Sequence, residues 1–208
     1  NLEKYVRANT ALEPNDVYYR VYWVFPNSIR IRVEGLPNKG FDLLKQTLVA
    51  KVKPYVELVL AKNLTTPLEQ SAYKKSSTKS NRYTRIKDKN ELLDMDIEFY
   101  KSGQIKLIES TSPNLKTSTL FAYDKKSWSK GKNVVSQITI SEGRGSTSIK
   151  KEIEIDYQKV ELFGLPSKIR TISYVMNGDK KINLGKLDLE LKNFHVNTGK
   201  AKKFIGQQ

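Results

Sequence analysis

The sequence predicts an α+β chain that is mainly β: a strongly curved antiparallel sheet, a half-open barrel of about nine strands, covered by one or two helices. Three observations carry that expectation. Most of the chain alternates apolar and polar residues with a period of two, the pattern of strands with one buried and one wet face. Turn residues punctuate these runs at short intervals. One stretch, after Gly40, changes to three- and four-residue spacing.

The best-specified piece is Val17 to Glu34. Val17, Tyr19, Val21, Trp23 and Phe25 are all large and apolar, while Tyr18, Arg20 and Tyr22 occupy the alternate positions. Pro26-Asn27-Ser28 interrupts the run, and Ile29, Ile31 and Val33 then alternate with Arg30, Arg32 and Glu34. Two strands joined by a turn make an antiparallel hairpin, closed by Gly35-Leu36-Pro37 because proline cannot donate a ladder hydrogen bond. Upstream, Leu2, Tyr5 and Val6 suit a short helix within Asn1 to Ala11, and Glu13-Pro14-Asn15-Asp16 reads as a turn.

Phe41, Leu44, Leu48 and Val52 recur at helical spacing, which predicts a helix over Asp42 to Lys53. Pro54 costs about 3 kcal/mol inside a helix, so Tyr55 to Leu60 is left as a kinked extension or a strand. From Ser71 to Asn90 the composition turns basic and polar, and a long irregular connection is expected, with an edge strand in its later half. Met95, Ile97 and Phe99 then alternate with Asp94, Asp96 and Glu98. Ile105 to Glu109, Thr119 to Tyr123, Val134 to Ile140 and Ile149 to Tyr157 continue the strands. Asn177-Gly178 marks the tip of a hairpin joining Ile169–Met176 to Ile182–Leu191. Nearly every strand has one polar face, which excludes a doubly wound parallel sheet. Residues 1–208 are read as a single domain with a basic polar loop at about 71–90.

Composition narrows the function classes. No apolar run approaches the roughly 20 residues a bilayer span needs, so a soluble chain is expected. Lysine and arginine number 37 against 22 acids, a formal charge of +15, which favours an anionic partner. Lys74, Lys75, Lys79, Arg82 and Arg85 are the candidate residues for it. The absence of cysteine removes disulfides and thiolate chemistry. His195 is the single histidine, and alternation puts it on a polar face, so a histidine-based triad or a zinc site is disfavoured. Asp94, Asp96 and Glu98 form one row that could hold a hard cation or act as acid and base. The plainer reading is a solvated strand face neutralised by lysines. Neither Gly143-Arg144-Gly145-Ser146 nor Gly35-Leu36-Pro37-Asn38 matches a phosphate-binding loop, so no cofactor and no enzyme is expected. Tyr73, Tyr83 and Trp128 lie among basic residues, a loose match to nucleic-acid binding, which is the less favoured reading. A structural or interaction module of an envelope assembly is the third.

Two segments, Phe25-Pro26-Asn27-Ser28-Ile29-Arg30-Ile31 and the stretch from Gly164-Leu165-Pro166 to Phe204, are similar to the LolA/LolB-type periplasmic carriers of bacterial outer-membrane lipoproteins. The first looks like their early hairpin. The second, Gly164-Leu165-Pro166-Ser167-Lys168-Ile169 through Leu187-Asp188-Leu189-Glu190-Leu191-Lys192-Asn193-Phe194-His195-Val196-Asn197 to Phe204, resembles their closing strands. The resemblance implies a curved sheet closed by helices over an apolar cavity, and a non-enzymatic carrier of lipoprotein or lipid acyl chains. It also implies a periplasmic location, with a signal peptide removed. Tyr19, Val21, Trp23, Phe25, Ile31, Met95, Ile97 and Phe99 are the expected cavity wall, although the same side chains suit an ordinary core. The basic residues then face an anionic membrane surface or a membrane partner protein.

Overall fold

The computed structural model describes residues 17–25, 28–37, 39–60, 72–86, 92–196 and 199–205. The expected N-terminal helix, the turn after it and the Pro26-Asn27 corner lie outside those residues. Contacts gather the chain into two compact units, Asn1–Gln70 with His195–Gln208, and Ser71–Phe194.

In the first unit, β1 (Tyr18–Val24) pairs antiparallel with β2 (Ser28–Glu34). The register sets Tyr19 opposite Val33 and Val21 opposite Ile31 on one face, and Arg20 opposite Arg32 and Tyr22 opposite Arg30 on the other. Helix α1 (Asp42–Leu60) covers the apolar face: Val17, Val33, Leu36 and Leu48 form a buried cluster, with Tyr19, Phe41 and Leu44 packed against it. The helix continues past Lys53 to Leu60 with Pro54 inside it, so Tyr55 to Leu60 extends the helix and is not a strand. Leu48, Val52 and Val56 explain this, because their four-residue spacing buries one continuous stripe on both sides of the proline. That burial offsets the hydrogen bond proline cannot make to the preceding turn. A short helix, α2 (Lys200–Ile205), packs on the same hairpin.

The hairpin forms a two-stranded sheet of its own, a correction to the expectation that it is one wall of the large sheet. Alternation identifies a strand but carries no information about which sheet it joins.

The second unit is a nine-stranded antiparallel sheet in the order β11-β10-β9-β8-β7-β6-β5-β4-β3, so each strand pairs with its sequence neighbours. Its members are β3 (Tyr73–Lys75), β4 (Arg82–Arg85), β5 (Asp94–Phe99), β6 (Ile105–Thr111), β7 (Lys116–Lys125), β8 (Asn133–Arg144), β9 (Thr147–Val160), β10 (Phe163–Asn177) and β11 (Lys180–Glu190). The mainly β fold and an antiparallel sheet of nine strands match the expectation, but the nine expected strands counted β1 and β2, where the sheet has β3 and β4 instead. The expected strong curvature is corrected: the sheet does not close into a barrel and is not strongly curled, because alternation marks an apolar face on each strand but does not set how far the sheet bends. β3 and β11 remain edges of an open meander, and β11 is protected from further pairing by Lys180, Lys181 and Lys186 and by a bulge at Ser173/Tyr174.

The stretch expected to be an irregular basic connection with an edge strand in its later half contributes β4 in that half and also β3, which is the edge. Turns elsewhere follow sequence signals closely. The β10–β11 loop is Gly178-Asp179, with Gly178 at φ 56°, a left-handed conformation that costs glycine little. The apolar face of the sheet buries Ile97, Phe121, Ile138, Ile153, Ile155 and Ile169, with Ile138 paired to Ile153 and Ile155 to Ile169. A 3-10 turn, Ser127–Ser129, lays Trp128 beside Tyr157 and over Gly164, where any side chain would collide with the indole.

Candidate functional site

At one end of the sheet, β3, β4 and β5 divide their residues between two chemically different faces. Pairing of Lys74 with Thr84, Arg82 with Glu98 and Thr84 with Asp96 puts Lys74, Arg82, Thr84, Asp94, Asp96 and Glu98 on one face. Tyr73, Lys75, Tyr83, Arg85, Met95, Ile97 and Phe99 take the other, because side chains alternate strictly along a strand.

The polar face is an ion-pair network. A single Arg82 Nη2 donates to Asp96 Oδ2 at 2.6 Å and to Glu109 Oε2 at 2.7 Å. Lys106 Nζ reaches Glu98 Oε1 at 2.7 Å, Lys116 reaches Glu109 at 3.0 Å, and Lys79 approaches Glu98 at 3.8 Å. Burial pushes the Asp96 carboxyl up, but donation from Thr84 and from Arg82 outweighs it and holds the group below the ordinary carboxylate range. Glu109 behaves in the same way, with Lys116 and Arg82 overcoming burial. For Glu98 the hydrogen bond from Lys106 is the largest influence and lowers it against burial. Asp96, Glu98 and Glu109 are therefore answered by cations, as the plainer reading expects, but the face is not a solvated one, since Glu98 is buried and Arg82 from β4 is the central cation. Among the described residues no group of three or more histidine or carboxylate side chains could hold a metal ion.

The other face is apolar and incompletely covered. Ile97 is buried at 3% exposure, whereas Tyr73, Tyr83, Met95 and Phe99 are only half-buried. Tyr83 meets Phe99 edge-on with ring centroids 5.6 Å apart, and the Tyr73 hydroxyl lies 3.6 Å from Met95 Sδ. Ile86 and Leu92, which flank β4 and β5 in the chain, are 56% and 73% exposed. Lys75 stands opposite Tyr83 and Arg85 opposite Tyr73, so two cations border this surface. Arg85 Nη2 also donates to the Leu93 carbonyl at 3.3 Å.

The expected cavity wall thus divides between two sheets. Met95, Ile97 and Phe99 belong to the face just described. Tyr19, Val21, Trp23, Phe25 and Ile31 belong to the β1–β2 hairpin. There Ile31 is buried, and Tyr19 packs into the helix-covered cluster with its hydroxyl donating to the Leu48 carbonyl at 3.3 Å. That burial pushes the Tyr19 hydroxyl up to about 12. Val21 and Trp23 are half-buried, while Phe25, edge-on to Trp23, is 67% exposed.

The five expected anion-binding residues also separate. Arg82 and Lys79 are engaged with carboxylates, Lys74 is exposed on the polar face, and Lys75 and Arg85 lie on the apolar one. Sequence reasoning missed Tyr73 and Tyr83 as companions of Met95 and Phe99. The signal was there in the alternation of Tyr73 with Lys74 and of Arg82 with Tyr83, hidden by the basic composition around them. Trp128, read as a loose nucleic-acid contact, is instead occupied by Tyr157 and Gly164, and His195 is exposed as expected.

No protein-family model, no curated protein and no solved structure matches this chain.

Proposed function

We propose that the protein is a non-enzymatic periplasmic carrier that takes up acyl chains of a lipoprotein or lipid on the apolar face of its nine-stranded sheet, at the β3–β5 end. One observation carries the reading. The same face that buries Ile138, Ile153 and Ile169 completely leaves Tyr73, Tyr83, Met95 and Phe99 half-covered at its end. An acyl chain laid there gains about 0.8 kcal/mol for each methylene removed from water. Met95, unbranched and polarizable, adapts to chains of different shape. The segments similar to LolA/LolB-type carriers support the periplasmic setting, and the +15 charge suits approach to an anionic leaflet.

Native mass spectrometry of protein prepared without detergent tests the reading, together with titration by a fluorescent long-chain alcohol. A co-purified acyl species and saturable uptake of the probe are expected. Met95→Gln, which places an amide on the patch, is expected to weaken uptake about tenfold. Absence of both the acyl species and probe uptake overturns the proposal.

A further inference from the structure

We infer that one end of the nine-stranded sheet docks on an anionic membrane surface, with Leu162 and Phe163 entering the lipid and the lysines around them answering the head groups. Docking there is independent of whether an acyl chain occupies the β3–β5 patch.

Because each strand pairs with its sequence neighbours, the connections of the meander alternate between its two ends. The β5–β6, β7–β8 and β9–β10 loops therefore share one end. Side chains tie them together: Asn133 Nδ2 donates to Gln104 Oε1 at 2.9 Å, the Tyr123 hydroxyl donates to the Ile105 carbonyl at 2.8 Å, and Trp128 lies against Tyr157 and Gly164. These loops and the strand ends beside them hold six lysines, Lys101, Lys125, Lys126, Lys130, Lys132 and Lys159, against two acids, Asp124 and Glu161. Among the described residues only Lys126 of the six meets a carboxylate, that of Asp124 at 3.5 Å.

An apolar residue stands at the tip of the same end. The two-residue turn Glu161-Leu162 joins β9 to β10, with Leu162 90% exposed and Phe163 beside it 44% exposed. Glu161 takes a left-handed conformation, φ 53°, which is unfavourable for a glutamate. The two-residue turns at the opposite end, Gly145-Ser146 and Gly178-Asp179, are polar and place glycine at positive φ. Those two turns carry Arg144 and Lys180 against Asp179. Leucine and phenylalanine gain by leaving water for the acyl boundary, while lysines on long stems stay at head-group level. Charge alone suits any polyanion; the exposed apolar tip selects a lipid surface over a nucleic acid.

Co-sedimentation of the full chain with two kinds of vesicle tests this, phosphatidylcholine alone and equal parts of phosphatidylcholine and phosphatidylglycerol. Binding is expected to be at least about tenfold tighter to the anionic vesicles and to weaken as salt is added. Leu162→Ser, at an exposed position that leaves folding intact, is expected to weaken it about tenfold. Lys130→Gln combined with Lys132→Gln is expected to cost about tenfold as well. Arg144→Gln combined with Lys180→Gln removes the same charge at the opposite end and is expected to stay within about twofold of the native level. Equal losses in the two charge variants overturn the docking surface by showing general attraction of a +15 chain. Unchanged affinity in Leu162→Ser overturns it too, as does tighter binding of a single-stranded oligonucleotide than of the anionic vesicles. Absence of vesicle binding alongside saturable uptake of the long-chain alcohol overturns the docking surface and leaves the carrier.

Discussion

The β1–β2 and β3–β4 hairpins are built from the same materials, tyrosines alternating with arginines and lysines, yet they end in opposite states. In β1–β2 the phase of alternation puts Arg20, Arg30 and Arg32 on one face and Tyr19, Val21 and Trp23 on the other, and α1 covers the apolar face with Leu48 and Leu44. In β3–β4 the face that holds Tyr73 and Tyr83 also carries Lys75 and Arg85, no described helix packs on this hairpin, and both tyrosines remain half-exposed. The opposite cation, Arg82, ties the hairpin to the acids of β5 and β6. One hairpin is held mainly by burial and the other by charge. A residue's neighbours in the chain do not tell which of the two applies.

The contrast can be broken at each hairpin separately, and the two tryptophans help, since Trp23 belongs to the first unit and Trp128 to the second. The largest effect is expected from Leu48→Ala, which opens a hole beneath Tyr19 and Val33. Leu48 is 1% exposed, and the loss should be about 3 kcal/mol in urea unfolding. A loss below about 1 kcal/mol would mean the helix-covered core is not what holds β1–β2.

Arg82→Ala should follow at about 2 kcal/mol, because it strands Asp96 and Glu109 without their shared donor in a partly buried setting. Unchanged stability would show that the network is solvated and that β4 is held by backbone pairing alone.

The smallest effect is the acid response. Asp96, Glu98 and Glu109 titrate lower in the folded chain than their ordinary values of 3.8 and 4.5, so their stabilisation is present above about pH 4.5. It is lost as pH falls through the depressed folded values, since the unfolded chain then binds protons more readily. Unfolding midpoints measured from neutral to acid pH should fall below about pH 4.5, and fall less in Arg82→Ala, where part of the depression is already gone. An equally steep fall in both proteins would place the acid sensitivity elsewhere.

How much of this was legible in the chain varies with the range of the interaction. β5 to β11 could be read because alternation is local: Ile149, Ile153, Ile155 and Tyr157 declare their face without reference to any other strand. The first turns of α1 could be read from Phe41, Leu44 and Leu48, but its continuation past Pro54 could not, because propensity argues against it and only the burial of Val56 argues for it. β3 was hidden and β4 was read only as an edge, because the acids that Arg82 holds, Asp96 and Glu109, lie 14 and 27 residues away in the chain. For the candidate site, Met95, Ile97 and Phe99 were visible as an apolar row, whereas Tyr73 and Tyr83 join them only once the β3–β4–β5 register is known.

The amino-acid sequence by itself determined that β1, β2 and β5 to β11 are strands and which face of each is apolar, since both follow from residues a few positions apart, and its composition fixed the large positive charge. Tertiary structure alone decided that the hairpin stands in its own sheet, that the meander stays open without strong curl, and that Arg82 is an internal cation while Lys75 and Arg85 border an apolar surface. Those outcomes depend on which distant strands pair and in what register, and a shift of one residue would send every one of these side chains to the opposite face.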